Sequence, residues 1–581
     1  MKRDLSAFER RNYDLAIVGG GIFGVCAAWE AALHGLSVAI VEKRDFCHAS
    51  SANHLRMVHG GIRYLQHGDL YRVRESSRER SELLRIAPHL VRPLPIVIPT
   101  YGHGVKGKEL LGLGMALYDM VTLDRNLGIR DPERRIPRGR FISRQEILNH
   151  FPGLDERGLT GGAVFCDGQM YNPQRLGLAF LRSAVDLGVD AANYTEATGF
   201  LREGERVSGI QVRDVLTRAE FEIRSNVILN AAGGWAHWLL ESGLGLHLEP
   251  KPTFSRDLAF VVTRRITDKY GFACPLKTTD ADALLDRGGR HLFVVPWQGN
   301  TLIGVWHVIF DRPPDEIGAT EKELQGFVDE FNEAYPGFDL SLKDISMILT
   351  GLTLFGEEKK TSRSTMSFGK RSRLIDHERE HHIEGLVTLI GVRATTARGM
   401  AEKAVDIILQ KLGKRRSKSR KAARPIYGGE IDCFDDFLAR AIQQKPSALS
   451  AEEMKALLHN YGSKYREILK YTEEDPSWAG SLGGSTVLKA EVVHAVREEM
   501  AQTLGDVVFR RTDLGPAGNP GEEALRACAG LMARELGWDQ ERTDKELEEV
   551  RNTFQRRGFL VAEDPGGRIE ADRASRHQSS T

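Results

Sequence analysis

The chain has 581 residues, too many for one hydrophobic core, so two to four domains are expected. A hydrophobic share of 41% with 28% charged residues fits a globular protein in water, and Lys plus Arg balance Asp plus Glu at 80 each, which argues against nucleic acid as the main partner. Six scattered cysteines (Cys26, Cys47, Cys166, Cys274, Cys433, Cys528) form no Cys-x-x-Cys, so no metal site is expected, and with no signal core and no bilayer-length apolar run the expected location is the cytoplasm, with any membrane contact peripheral.

Residues 15–18 read as a short buried strand. Gly19, Gly21 and Gly24 follow as Gly-x-Gly-x-x-Gly, and 25–33 reads as the next helix. Gly19 serves the tight turn, Gly21 the approach of a pyrophosphate, and Gly24 the close packing of helix on strand. The helix N-terminus offers free N–H groups to that anion. A second strand, 37–41, ends at Glu42, about 20 residues beyond the motif, where a carboxylate can accept from a ribose hydroxyl. Strand, turn, helix and acid together predict a dinucleotide site for FAD or NAD rather than NADP.

The stretch 49–65 is dense in small, polar and basic residues, among them Ser50, Ser51, His59, the permissive pair Gly60-Gly61, Arg63 and Tyr64, and it suits close contact with a cofactor. Residues 110–121 form an apolar, helix-compatible segment of the kind that can lie in a lipid headgroup region or in a core. Asn172 and Pro173 suit the cap and first position of a helix. A strand at 227–229 leads into Asn230-Ala231-Ala232-Gly233-Gly234-Trp235. Strands are expected near 255–265 and 290–310. A strand at 386–390 is followed by Gly391, Arg393 and Thr395 and then a helix at 396–412. The stretch 411–424 is basic and reads as a linker; 451–554 carries apolar residues at helical spacing; 564–581 is polar and expected to be disordered.

On these residues the chain resembles the FAD-dependent glycerol-3-phosphate dehydrogenases, within the D-amino-acid-oxidase-like flavoproteins. That family carries Lys-Leu-Ile-His-Gly-Gly-x-Arg-Tyr-Leu; here Arg56 stands at the Lys, and His59, Gly60, Gly61, Arg63, Tyr64 and Leu65 match. Further resemblance runs through 83–99, the Asp167-Gly168-Gln169 stretch, 230–235, 293–297, the Gly391–Ala397 segment that in the family packs beside the flavin, and the helical stretches 490–500 and 504–512. The last is the most specific, because flavin binding does not require it.

The resemblance implies an α/β fold: a Rossmann-like FAD domain in three pieces (1–95, 160–250 and 350–412), an inserted antiparallel-sheet substrate domain (96–159 and 251–349), a basic linker (413–430), a C-terminal all-helical domain (431–560) and a disordered tail (561–581). FAD contacts are expected from Gly19, Gly21, Gly24, Glu42, Ser50, Ser51, Gly60, Gly61, Ala232, Gly233, Trp235, Gly391 and Thr395. His59 is the candidate base, Arg63 and Arg393 the candidate anion or oxyanion donors, and Tyr64 an orienting group.

The implied reaction is oxidation of sn-glycerol 3-phosphate to dihydroxyacetone phosphate, with electrons passed to a quinone or another acceptor, and the apolar segment 110–121 would give peripheral membrane contact. The departures from the family fall near the substrate. Its Gly-Val-Arg-Pro-Leu is Gly351-Leu352-Thr353-Leu354-Phe355 here, its Ile-Gly-Thr-Thr-Asp is Ile303-Gly304-Val305-Trp306-His307, and its Lys-Gly-Ser-His is replaced near Ser255-Arg256-Asp257-Leu258. Either Arg56, Arg256 or Arg393 supplies the missing charge, or the substrate is another small phosphorylated or carboxylated alcohol or an amine, as in amino-acid oxidases, or the protein binds without turnover. Oligomeric state stays open.

Overall fold

The computed structural model describes residues 1–103, 107–276, 291–355, 371–416 and 424–556. The expected tail at 561–581, and 417–423 of the basic linker, lie outside the described residues.

Two sheets organise the molecule. In the nucleotide sheet, Tyr13–Val18 lies between Val38–Val41 and Glu220–Asn230, parallel to both. Leu386–Ile390 and Asp190–Ala192 extend it in parallel, and Arg373–Asp376 closes one edge antiparallel. Alternation divides the central strand between two cores. Leu15 and Ile17 pack with the helices Ile22–Leu33, Pro173–Val185 and Ala397–Lys411. Ala16 and Val18 pack with the hairpin Thr195–Glu203/Arg206–Asp214 and the helix Ala236–Leu244. Covered on both faces, these strands read as continuous apolar runs.

The second sheet runs Ile345–Phe355, Thr253–Val262, Asn300–Phe310, His291–Trp297, Gly271–Pro275, Val91–Tyr101, Leu159–Met170, Met57–Val58, with Arg140–Ser143 also on Leu159–Met170. Its pairings are antiparallel except Gly271–Pro275 with Val91–Tyr101, which is parallel. The boundaries expected at 95, 160 and 350 fall inside its strands.

The C-terminal helices run from Phe434–Gln443 to Gln540–Gln555 and share a core with the second sheet, one that includes Leu457, Leu458 and Tyr461 from the helices and Met57 and Trp297 from the sheet. Buried ion pairs bind them to the nucleotide domain. Arg511 donates twice to Asp45 at 2.7 Å, Arg510 donates to the same carboxylate at 2.6 Å, and Arg175 donates to Glu499 at 2.6 Å. Burial alone would raise the Asp45 pKa; Arg511 and Arg510 outweigh it and hold the group far below the usual aspartate range.

Candidate active site

A single cavity of about 730 Å³ runs from the glycine-rich turn to the second sheet. Gly19 holds φ +106°, and a Cβ on Gly24 would fall 1.9 Å from the Gly19 carbonyl oxygen, so strand, turn and helix pack as closely as the motif implies. Helix Ile22–Leu33 opens at Gly21, and its first N–H, on Ile22, donates to Ser51 Oγ at 2.9 Å. Glu42 accepts from the Gly20 and Arg44 N–H groups at 2.8 and 3.0 Å, and burial raises its pKa. These features fit a dinucleotide: a helix N-terminus for the pyrophosphate and a fixed carboxylate beyond it for a ribose.

Of the expected cofactor residues, Gly19, Gly21, Glu42, Ser50, Ser51, Gly61, Ala232, Gly233, Trp235, Gly391 and Thr395 line this cavity. Gly24 and Gly60 do not. Gly24 is a packing residue beneath the turn. Gly60 is buried against Arg80 and Tyr118, where a Cβ would lie 2.0 and 2.3 Å from their polar tips. Gly60 thus meets a packing demand of its own, outside the cavity lining. Ser50 is engaged with the second sheet, its hydroxyl donating to the Leu352 carbonyl at 3.0 Å and accepting the Leu352 N–H at 2.8 Å. Trp235 donates to Asp315, which also takes Lys43 and Arg44.

The four expected catalytic residues, His59, Arg63, Tyr64 and Arg393, line the same cavity. His59 Nδ1 lies 3.0 Å from Asp167 Oδ2, and the His59 N–H donates to Thr395 Oγ1 at 3.2 Å. The carboxylate fixes Nδ1 as the donor, which leaves Nε2 as the lone-pair nitrogen. Burial alone would raise the Asp167 pKa, but bonds from His59, buried Arg80 and the Gly60 N–H hold it below the ordinary value, so it remains a carboxylate. Arg393 donates to the Tyr64 hydroxyl at 2.5 Å, and the guanidinium carbons of Arg72 and Arg393 lie 4.4 and 4.8 Å from the centre of the Tyr64 ring.

Of the three arginines proposed to supply the missing charge, only Arg393 faces the cavity. Arg56 is buried under the helical domain, 3.5 Å over the Trp297 ring, and donates to the Pro516 carbonyl. Arg256 alternates with Ser255 and Asp257 along its strand and pairs with Glu323 on the far face at 2.8 Å. Trp306 also turns away, between Phe260 and Phe327. The carboxylates that organise the two histidines were missed as site residues: Asp167 is 108 positions from His59, and Asp257 is 50 from His307. Only the Asp-Gly-Gln resemblance pointed near the first.

A glycine turn at a helix N-terminus, a carboxylate past the next strand, and an imidazole and arginines over the same cavity fit a dinucleotide-dependent oxidoreductase. The family described as FAD dependent oxidoreductase matches residues 14–402, and the C-terminal domain of alpha-glycerophosphate oxidase matches 419–543. A glycerol-3-phosphate dehydrogenase of Synechocystis is 31% identical over 563 residues, covering 94% of this chain and 97% of that one. The aerobic glycerol-3-phosphate dehydrogenase of Bacillus subtilis is 27% identical over 564 residues, covering 94% and 96%. The chain belongs to the FAD-dependent glycerol-3-phosphate dehydrogenase family, and its cofactor is FAD. The fold matches that of a Bacillus halodurans glycerol-3-phosphate dehydrogenase solved with FAD, at TM-score 0.72 and 22% identity, over 96% of this chain and 98% of that one.

Proposed function

We propose that this enzyme oxidises sn-glycerol 3-phosphate to dihydroxyacetone phosphate. The observation that supports this reading best is the His59–Asp167 pair in one cavity with Arg63, Arg393 and the dinucleotide turn. His59 Nε2 takes the proton of the secondary hydroxyl, and Asp167 stabilises the imidazolium that results. FAD, when bound, supplies the hydride acceptor. Arg63 and Arg393 bind the anionic end; two guanidinium groups at one pocket favour an anion between them. Tyr64, held by Arg393, orients that end. Thr353, in place of a family arginine, favours a second reading, oxidation of another small anionic alcohol. Anaerobic titration of the yellow enzyme with glycerol 3-phosphate tests the proposal: bleaching of the flavin supports it, and bleaching only by carboxylated alcohols replaces the substrate while keeping the site.

The electron acceptor on this reading is a membrane quinone. Among the described residues no helix is long and apolar enough to cross a membrane. Helix Lys108–Val121 nevertheless exposes Leu113, Leu117 and Met120, and Leu123 and Leu127 continue the patch. Leu111 belongs to the other face, 8% exposed in the core with Met115. Contact through the exposed residues would be peripheral. Replacing Leu113, Leu117 and Leu123 by Asp should abolish sedimentation with anionic vesicles, and a wild type that does not sediment would remove this part of the proposal.

A further inference from the structure

The loop just past the strand Val38–Val41 holds the glycine turn from outside. Both oxygens of Glu42 are committed to backbone, Oε2 to the Gly20 N–H and Oε1 to the Arg44 N–H, which fixes the carboxylate at the cavity wall. Five residues on, the Cys47 N–H donates to the Gly20 carbonyl at 3.0 Å. Gly20 lies inside the turn, and a Cβ there would fall 2.5 Å from the Phe46 ring. Residues 42–47 thus grip the turn by its N–H, its carbonyl and its bare Cα. The part of the cavity suited to a pyrophosphate and a ribose therefore depends on where this loop sits.

Asp45 stands in the middle of the loop and does not line the cavity. Its carboxylate has no exposed surface and takes four donors. Arg510 Nε at 2.6 Å and Arg511 Nη1 at 2.7 Å reach Oδ2; Arg511 Nη2 at 2.7 Å and Asn193 Nδ2 at 3.0 Å reach Oδ1. The two arginines belong to the helical domain, 465 and 466 positions further along the chain. Tyr194 repeats the link: its N–H donates to the Arg44 carbonyl at 2.9 Å and its hydroxyl to Asp506 at 2.7 Å. A two-pronged guanidinium fixes the orientation of a carboxylate as well as its distance, so the helical domain sets the place of the loop.

We propose that Arg510 and Arg511, acting through Asp45, position the 42–47 loop for FAD, so that docking of the helical domain and binding of the cofactor favour each other. The inference is independent of which alcohol is oxidised. A second buried pair in the same interface supplies the control: Arg175 and Glu499 also join the two domains, at 2.6 Å, and neither lines the cavity.

FAD is titrated into the full chain freed of flavin, followed by flavin fluorescence, and hydrogen exchange of residues 499–513 is compared with and without FAD. In the wild type, exchange there should slow when FAD binds, because coupling between two events is reciprocal. Among the described residues none beyond Thr395 lines the cavity, so slower exchange at 499–513 reports coupling and not contact. Asp45→Asn should raise the FAD dissociation constant by about 5–150-fold, the usual span of such a coupling, and should erase the FAD-dependent slowing. Glu499→Gln should lower the unfolding temperature through its own broken pair and leave the FAD dissociation constant near the wild-type value. Arg510→Lys keeps the charge and gives up the planar fork; it is the milder variant should Asp45→Asn not fold, and it should weaken FAD binding in the same direction. Unchanged FAD affinity in either of these two variants once folded, equal weakening by Glu499→Gln, or exchange at 499–513 that does not respond to FAD overturns the inference.

Discussion

The two imidazole–carboxylate pairs of this cavity are alike in their first bond and unlike in what lies behind it. Asp167 is buried and backed by Arg80, itself without exposed surface, and by the Gly60 N–H. Asp257 is partly open and backed by two hydroxyls. A carboxylate braced by a buried cation keeps its charge and its place while its histidine gains a proton, which suits proton transfer. Among the described residues, Asp257 has hydroxyls where Asp167 has a buried guanidinium. On the proposed function, the difference favours His59 as the group that takes the proton.

The strongest way to break this division is at His59. His59→Gln should lower kcat by about 10²–10⁴-fold with FAD still bound, the usual worth of a positioned base, and Asp167→Asn should fall in the same direction by less. Single-turnover flavin reduction measures both. If His307→Gln lowered kcat as severely as His59→Gln, the roles would be wrongly divided.

Next in size is the buried ion-pair cluster that ties the helical domain to the nucleotide domain. Asp45→Asn leaves Arg510 and Arg511 buried without their partner and should cost about 3–5 kcal/mol of stability, seen by thermal or denaturant unfolding. The pH dependence has a definite sign. The folded pKa of Asp45 is depressed, so its stabilisation is fully present above the ordinary aspartate value and is lost as the pH falls below about 4 toward the folded value. The wild type should lose stability over that acid range more steeply than Asp45→Asn.

Much of this architecture was legible beforehand, and the physical reason is local. The turn at Gly19–Gly24 and Glu42 at a strand end are short-range patterns whose backbone demands show in adjacent residues, whereas His59, Arg63 and Tyr64 were singled out through the family resemblance. Arg393 was legible because it follows a buried strand, where parallel sheets place their ligands. A glycine required by Arg80 and Tyr118, as Gly60 is, looks in sequence the same as one required by a flavin. Asp257 was invisible as a site residue because its meaning depends on strand register: one residue along, Arg256 faces the other way and pairs with Glu323.

Smaller effects sharpen the picture at the anion-binding part. Arg393→Ala removes a charge-assisted contact worth about 1.5–3 kcal/mol, so kcat/KM should fall by about 10–150-fold, and Arg63→Ala should behave similarly. Arg393→Lys should be milder if charge alone matters. Tyr64→Phe loses one hydroxyl that Arg393 holds, and its kcat/KM should fall by about tenfold or less, the worth of an ordinary hydrogen bond. Steady-state kinetics of flavin reduction measures all four variants.

The most direct measurement is the limiting rate of anaerobic flavin reduction by saturating sn-glycerol 3-phosphate, compared between the wild type and His59→Gln. Rapid bleaching in the wild type, slowed about 10²–10⁴-fold in the variant with its flavin spectrum intact, is the predicted result. Equal rates in the two proteins would contradict the assignment of the proton to His59.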